Sequence, residues 1–392
     1  MKHIVVVGKY YPPETGGLER YTYDVARVAA RAHRVTVLVH NKVRIDSIEK
    51  YENVTVIRCG TNKIIKAQPI SFSMLSHIRA LNPDLILFNA PNFWAAGMLA
   101  LTRYKCPLIV THHADVFGRP LLKRAVLPIY HHLLKRAACV IVNSLKNASA
   151  STDLPKGTGP LVVIPHGIEA NLYHIDETVR QGLLRERYER FGAAPVIGFI
   201  GRFVRYKGLS VIVDALARLN EIHVLMIGDG PLRQETEHRA REAGVSDRMH
   251  FLGNIDDSAK IRELAIMDVL LLPSTDTTEA FGLVQIEAQL MGVPVIASLL
   301  PTGVTDVTVD NETGLFVPPS DPSALAAAID RLTGDLALAA RLGQAGRRHA
   351  LRNFTFDVFQ QRFEELFGAL LSEGHLFKES NRTEPLAASG KK

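Results

Sequence analysis

Cysteine is scarce: the 392 residues hold only Cys59, Cys106 and Cys139. Three scattered thiols build no disulfide framework and lack metal-ligand spacing, which fits a reducing compartment. Long apolar runs are missing too. Nothing approaches the roughly 18 apolar residues of a membrane span, and the first run, Ile4–Val7, is too short for a signal-peptide core. A cytoplasmic protein is expected. The chain has no short-period repeat and no low-complexity block. It also has no GxGxxG, so a dinucleotide fingerprint is not met. With 47% hydrophobic and 22% charged residues, the composition excludes disorder and coiled coil and leaves ordinary globular domains, two by length.

Acidic residues are few in the first half. Residues 1–175 carry 22 Lys and Arg against 10 Asp and Glu, and residues 176–392 carry 24 against 30, for a net charge of +6. A basic half points to an anionic partner: a phosphorylated substrate, an anionic membrane surface or nucleic acid. The plainer alternative is that these cations only solvate helices.

What is present is a repeated grammar. His3–Gly8 reads as a strand, Leu18–Ala32 as a helix and Arg34–His40 as the next strand. Val54–Arg58, Leu85–Phe88, Pro107–Thr111, Cys139–Asn143 and Leu161–Ile164 continue the series. The pattern pauses over 166–194 and restarts at Pro195–Gly201. His223–Ile227, Met249–Leu252, Val269–Leu272, Pro294–Ala297 and Gly314–Val317 follow. Val/Ile/Leu-rich strands without alternation are buried on both faces. Separated by helices, they predict an α/β fold of two doubly wound, Rossmann-like domains. Phe354–Leu371 reads as a late amphipathic helix.

Several motifs sit where such folds bind ligands, at the carboxyl ends of strands. After Val269–Leu272 comes Thr278-Glu279-Ala280-Phe281-Gly282-Leu283-Val284-Gln285-Ile286-Glu287-Ala288. A helix from about Gly282 would place Glu279 before its start and Glu287 two turns in, roughly 12 Å apart. Two carboxylates could then hold hydroxyls on either side of an anion at the helix start. Two exposed glutamates on an ordinary helix is the plainer reading. Arg202 and Lys207 follow the strand ending at Gly201 and are suited to phosphate oxygens, or are merely surface cations. Gly228-Asp229-Gly230-Pro231 is more simply a structural turn. Gly16 and Gly17 would let backbone approach a phosphate. Thr111-His112-His113-Ala114-Asp115 offers a ligand-facing or a buried His, with no third ligand spaced for a metal. Arg119–Arg136, interrupted by Pro128, and Lys63-Ile64-Ile65-Lys66 are basic-apolar stretches. They could rest on anionic headgroups, or pack their apolar faces internally.

Taken in order, these motifs resemble retaining glycosyltransferases of family 4, with the GT-B fold. Gly16-Gly17 with Glu19, His113, Gly201-Arg202 with Lys207-Gly208, Gly228-Asp229-Gly230-Pro231 and the pair Glu279/Glu287 carry the likeness. Gly292-Val293-Pro294-Val295-Ile296-Ala297 and Thr313-Gly314-Leu315-Phe316-Val317-Pro318-Pro319 extend it. Val110–Val116 and Leu300-Pro301-Thr302-Gly303-Val304 are similar to mannosyltransferases of surface polysaccharide assembly. The chain departs from the family at Thr302–Val307, which stands where Gly-Gly-x-Pro-Glu is usual.

The resemblance implies two domains facing across a cleft. Residues 1–185 would bind the acceptor and 186–352 the nucleotide sugar. A helix at 353–375 would cross back to the first domain, and 376–392 would be a disordered tail. Arg202 and Lys207 would clamp the diphosphate and Glu287 the ribose. Glu279 would hold sugar hydroxyls, with the amides of Phe281, Gly282 and Leu283 nearby. Gly16 and Gly17 would close over the phosphates. His113 would be the active-site His, with Asp115 beside it and His112 as the alternative assignment. No cofactor and no metal are implied, which fits the lack of an Asp-x-Asp motif. The donor would be GDP-mannose or a UDP-sugar. The acceptor would be a glycan or lipid-linked glycan, with peripheral contact to an anionic membrane and none with nucleic acid. An epimerase, a phosphorylase or a non-catalytic nucleotide-binding protein is the competing expectation.

Overall fold

The computed structural model describes residues 1–372 except 15, 52, 66–67, 114, 116–119 and 156. The expected tail therefore lies outside the described residues, as do Lys66 and Arg119. The chain folds into two compact units, Met1–His166 with the chain from Phe359 on, and Gly167–Val358.

Among the described residues the first unit holds ten strands: β1 (His3–Val7), β2 (Arg34–His40), β3 (Ser47–Tyr51), β4 (Val54–Cys59), β5 (Lys63–Ile65), β6 (Gln68–Ile70), β7 (Leu85–Ala90), β8 (Leu108–His112), β9 (Cys139–Val142) and β10 (Leu161–Val163). Eight form one sheet in the order β10-β9-β8-β7-β1-β2-β4-β3. All pair in parallel except β3, which lies antiparallel on β4. Strands β5 and β6 form a separate hairpin. Every residue of β1, β7, β8 and β9 is buried, as expected for a sheet covered on both faces. The helix Gly17–Ala29 leads from β1 towards β2.

The second unit has six strands: β11 (Val196–Ile200), β12 (His223–Ile227), β13 (Met249–Gly253), β14 (Val269–Leu272), β15 (Val295–Ser298) and β16 (Gly314–Val317). Their order, β13-β12-β11-β14-β15-β16, is all parallel. It reverses direction between β11 and β14. Such a switch point, at the strands' carboxyl ends, is where α/β sheets bind ligands. The first unit has the same kind of reversal between β1 and β7.

The boundary differs from the expected one at 185. The stretch 166–194 holds a 3-10 turn, Ala170–Tyr173, and the helix Glu177–Phe191. That helix is tied into the second unit by Arg187–Asp268, Arg190–Glu263 and Arg262–Glu186 ion pairs. Its polar surface hid its membership: beside these ion pairs, only Leu183 and Phe191 are buried, with Phe191 packed on His223 and His250. The last helix, Phe356–Ser372, passes into the first unit at Phe359.

The basic stretch forms one helix, Pro120–Arg136, running through Pro128. Tyr130, Leu133 and Leu134 are buried, so this part of its apolar face packs internally. Ile64 and Ile65 are exposed on the β5–β6 hairpin.

Candidate active site

The second unit assembles its candidate site at the β11/β14 switch point. Gly201-Arg202-Phe203-Val204 leaves β11, turns through the 3-10 stretch Arg205–Lys207 and enters the helix Leu209–Leu216 at Gly208. Gly208 has φ 71°, and a Cβ there would stand 2.0 Å from the carbonyl oxygen of Pro273, just after β14. Only glycine permits that approach. The two loops are further joined where the Thr275 amide donates to the Tyr206 carbonyl at 2.7 Å.

This packing brings Lys207 and Glu279 together. The Lys207 ammonium donates to Glu279 Oε2 at 2.5 Å, and the Ser274 hydroxyl donates to the same oxygen at 2.8 Å. Both charged side chains are nearly buried, at 12% and 8% exposed. Arg202 is exposed and has no carboxylate partner among the described residues. The Gly228 turn is structural: with φ 121°, a Cβ at Gly228 would lie 2.0 Å from the Gly201 carbonyl oxygen. The Phe203 amide donates to the Asp229 carbonyl at 2.9 Å, which fixes the course of the loop carrying Arg202.

The helix after Glu279 is shorter than expected. It spans Val284–Leu290 and begins after a left-handed Gly282, φ 69°. Glu287 thus falls in its first turn, and the roughly 12 Å spacing of a continuous helix does not apply. Phe281 is buried and packs edge-on against Phe354 at 5.9 Å. The amides of Phe281, Gly282 and Leu283 meet no backbone acceptor among the described residues. They are donors ahead of a helix start, where an anion is favoured.

Glu287 is held from one side. Its Oε1 accepts from Lys260 at 2.9 Å, and Lys260 also meets Asp257 at 3.0 Å. Burial works against the Lys260 charge, but Glu287 and Asp257 outweigh it and hold the ammonium above its ordinary range. Glu287 Oε2 is buried without a hydrogen bond among the described residues. The Tyr173 phenol neighbours this carboxylate and is pushed up by burial first and then by the Glu287 charge. Sequence reasoning missed Ser274, Lys260 and Tyr173. Lys260 and Tyr173 reach Glu287 from other elements, and no local pattern marks such contacts.

In the first unit, the two neighbouring histidines separate. His112 is buried with Nδ1 2.9 Å from the Tyr130 hydroxyl. His113 lies edge-on to Tyr21 at 4.3 Å and 5.5 Å from His166. Its Nε2 meets no hydrogen-bond partner among the described residues. Burial, and then the His166 and His112 charges, push His113 well below the ordinary His value. Burial pushes His166 down to about 4. Phe359 and Phe363 pack on Tyr21 at 5.7 and 6.3 Å. Tyr21 and His166 were not among the expected site residues. A Tyr inside an amphipathic helix and a His in a turn carry no local sign of such a role.

Asp115 Oδ1 lies 3.3 Å from Nε2 of His112, the alternative assignment. It accepts from the Ser151 hydroxyl, from the Thr152 amide at 2.6 Å and from the Thr152 hydroxyl at 2.9 Å. Burial alone would raise this carboxyl, but bonds from His112, Ser151 and Thr152 hold it far below the usual range. It is a loop clamp in this structure. Gly16 caps the helix Gly17–Ala29, and a Cβ there would collide with the Glu19 carboxylate at 2.2 Å. Among the described residues, a Cβ at Gly17 would meet no atom within 4 Å beyond its chain neighbours and its own helix backbone.

Two family models match, "Glycosyl transferases group 1" over residues 181–349 and "Glycosyltransferase Family 4" over residues 15–172. The chain is 27% identical to the O-antigen chain mannosyltransferase C of Escherichia coli, over 95% of this chain and 99% of that one. It is 25% identical to a GDP-mannose-dependent alpha-(1-6)-phosphatidylinositol monomannoside mannosyltransferase of Mycolicibacterium smegmatis, over 93% and 97%. Among solved structures it is similar to Anabaena Alr3699/HepE in complex with UDP and glucose. That match has a TM-score of 0.75 and 21% identity, and covers 94% of this chain and all of that one. The chain belongs to the family 4 glycosyltransferases, enzymes of the GT-B fold.

Proposed function

We propose that the protein is a configuration-retaining, metal-independent hexosyltransferase. It moves mannose from GDP-mannose to a hydroxyl of a lipid-linked glycan in surface polysaccharide assembly. The relatives named for mannosyl transfer support the sugar and the pathway class. The observation that carries the chemistry is the Lys207–Glu279 contact at the β11/β14 switch point.

In this reading the diphosphate takes Lys207, Arg202 and the amides of Phe281, Gly282 and Leu283. These donors are placed before the reaction and stabilise charge that builds on the leaving group. Glu279, given up by Lys207, accepts from sugar hydroxyls while Ser274 keeps its carboxylate in place. Glu287, steadied by Lys260, accepts from the ribose with Oε2. The bare backbone at Gly17 lets the first unit approach the phosphates. His113 is neutral and offers Nε2 to a sugar hydroxyl. A leaving phosphate oxygen takes the acceptor proton, and no side-chain nucleophile is required. The basic first half, with Ile64 and Ile65 exposed beside Lys63, meets the anionic surface that presents the acceptor.

The test is transfer to a lipid-linked acceptor in EDTA, with GDP-mannose and UDP-glucose as alternative donors and the anomeric configuration read by NMR. Retained configuration from GDP-mannose is expected. An inverted product, or turnover that EDTA abolishes, overturns the mechanism. Turnover only with UDP-glucose overturns the donor assignment.

A further inference from the structure

The helix Val284–Leu290 carries Glu287, and its buried face is not wholly apolar. Two of its seven residues, Gln285 and Gln289, are glutamines with no solvent exposure. The Gln285 amide nitrogen donates to the Phe281 carbonyl at 2.9 Å, and its Oε1 accepts from the Thr308 hydroxyl at 2.7 Å. The Gln289 amide nitrogen donates to the Val307 carbonyl at 2.9 Å, while its Oε1 is buried without a partner among the described residues. Val307 and Thr308 are themselves fully buried. Their course is pinned on both sides. The Thr308 amide donates to the Val304 carbonyl at 3.2 Å, the Val309 amide to the Thr313 hydroxyl at 2.8 Å, and His349 Nε2 to the Asp306 carbonyl at 3.1 Å. A Cβ at Gly346 would stand 3.0 Å from Gln289 Cγ, so the helix Leu336–Asn353 closes over that side chain.

A buried amide costs free energy unless it is hydrogen-bonded. Packing does not repay that cost, since an apolar side chain of similar volume would fill the same space. What the amides add is direction. A carbonyl oxygen only accepts, so the bonds to Phe281 and Val307 fix which way each glutamine lies. Gln285 and Gln289 are four residues apart and share one face of the helix. Glu287 is two residues from each, a rotation of roughly 200°, and so stands on the opposite face. At a side-chain radius of about 5–6 Å, a turn of about 10° about the helix axis carries a carboxylate about 1 Å. That displacement is enough to spoil a hydrogen bond. The segment gripped at Val307 and Thr308 ends the stretch Thr302–Val307, which stands where the family has Gly-Gly-x-Pro-Glu.

We propose that Gln285, Gln289 and Thr308 are positioning residues of the donor site. They set the rotation of the helix so that Glu287 Oε2 faces the ribose of the nucleotide. The inference rests on the ribose role proposed above for Glu287. The three residues act on the nucleotide only through that carboxylate.

The test is a double-mutant cycle read by calorimetric titration of the full chain with GDP and with UDP in EDTA. Thr308→Val keeps the volume and removes the hydroxyl that Gln285 accepts. It should raise the Kd of the nucleotide that binds the wild type about fivefold, part of the effect of losing Glu287 itself. Thr308→Ser restores the hydroxyl and should bind within about twofold of wild type. Gln289→Met is a second variant of similar length and should also raise the Kd about fivefold. In a Glu287→Ala background neither Thr308→Val nor Gln289→Met should weaken binding further. A merely structural role would show no such dependence on Glu287. An equal fivefold loss in the Glu287→Ala background, an unchanged Kd in both single variants, or a Thr308→Ser loss equal to that of Thr308→Val overturns the positioning role and leaves the ribose assignment standing. An unchanged Kd in Glu287→Ala alone, or no binding of either nucleotide to the wild type, overturns the ribose assignment and this inference with it.

Discussion

Lys207 and Glu279 are 72 residues apart in sequence and 2.5 Å apart in space, joined because Gly208 lets the loop after β11 touch Pro273. A nearly buried pair of this kind is costly to break from one side. Lys207→Ala should lower stability by roughly 3 kcal/mol. The double variant Lys207→Ala, Glu279→Gln should recover part of that loss. Transfer should fall about 10²–10³-fold in Lys207→Ala and should not return in the double variant. Denaturant melts and initial rates read the two effects separately. Full additivity in the melts would refute the coupling.

Gly208→Ala tests the loop approach itself. It places a methyl against the Pro273 carbonyl in a left-handed conformation. A loss of roughly 1–3 kcal/mol is expected. Donor KM should rise as well, because Lys207 precedes the distorted residue. A melting temperature equal to wild type would count against the close contact.

Glu287 and Lys260 should act on the nucleotide rather than on the chemical step. A nucleoside diphosphate at 100 times its Kd adds about 2.7 kcal/mol of stability. Glu287→Ala should raise that Kd about tenfold in EDTA, at the order of one charged hydrogen bond. Lys260→Met should do the same more weakly, by releasing Glu287. A change in kcat with unaltered Kd would show that the carboxylate acts elsewhere.

Asp115→Asn should destabilise by about 2 kcal/mol, the order of one charge-assisted bond to the 151–152 turn. Donor KM should stay at the wild-type value. A raised KM with an unchanged melt would return Asp115 to the substrate site.

His166 gives a pH dependence with a defined sign. Its ordinary value of about 6.5 falls to about 4 in the folded chain. Between those values the unfolded chain binds the proton and the folded chain does not. Stability is therefore fully present above about 6.5 and is lost as pH falls towards 4, by at most about 3 kcal/mol. His113, also shifted down by burial, adds in the same direction. Melting curves of wild type and His166→Phe should converge as pH falls through this window. Parallel curves would contradict the assignment.

The strand grammar was legible because parallel strands buried on both faces are uniformly apolar. The glycines at 201, 208, 228 and 282, set between strand and helix, marked the loops. The helix Glu177–Phe191 was harder to place, since charged contacts dock it and charges read as solvent-facing. Strands β3, β5 and β6 are short and largely polar or exposed, so no pattern announced them. Glu279 and Lys207 were visible by their positions, whereas their mutual contact needed the β11–β14 pairing. Asp115 was expected beside His113, whereas its carboxylate meets His112, because adjacency in sequence says nothing of direction. Its oxygens turn towards a loop some 36 residues later.

The return of the chain at Phe359 bears on the order of events during synthesis. The first unit lacks its closing helix until the whole second unit has been made. Domains generally fold as units as they emerge from the ribosome. Gly167–Val358 can therefore complete its sheet while Tyr21, beside His113, still awaits Phe359 and Phe363. The half that carries His113 is begun first and finished last.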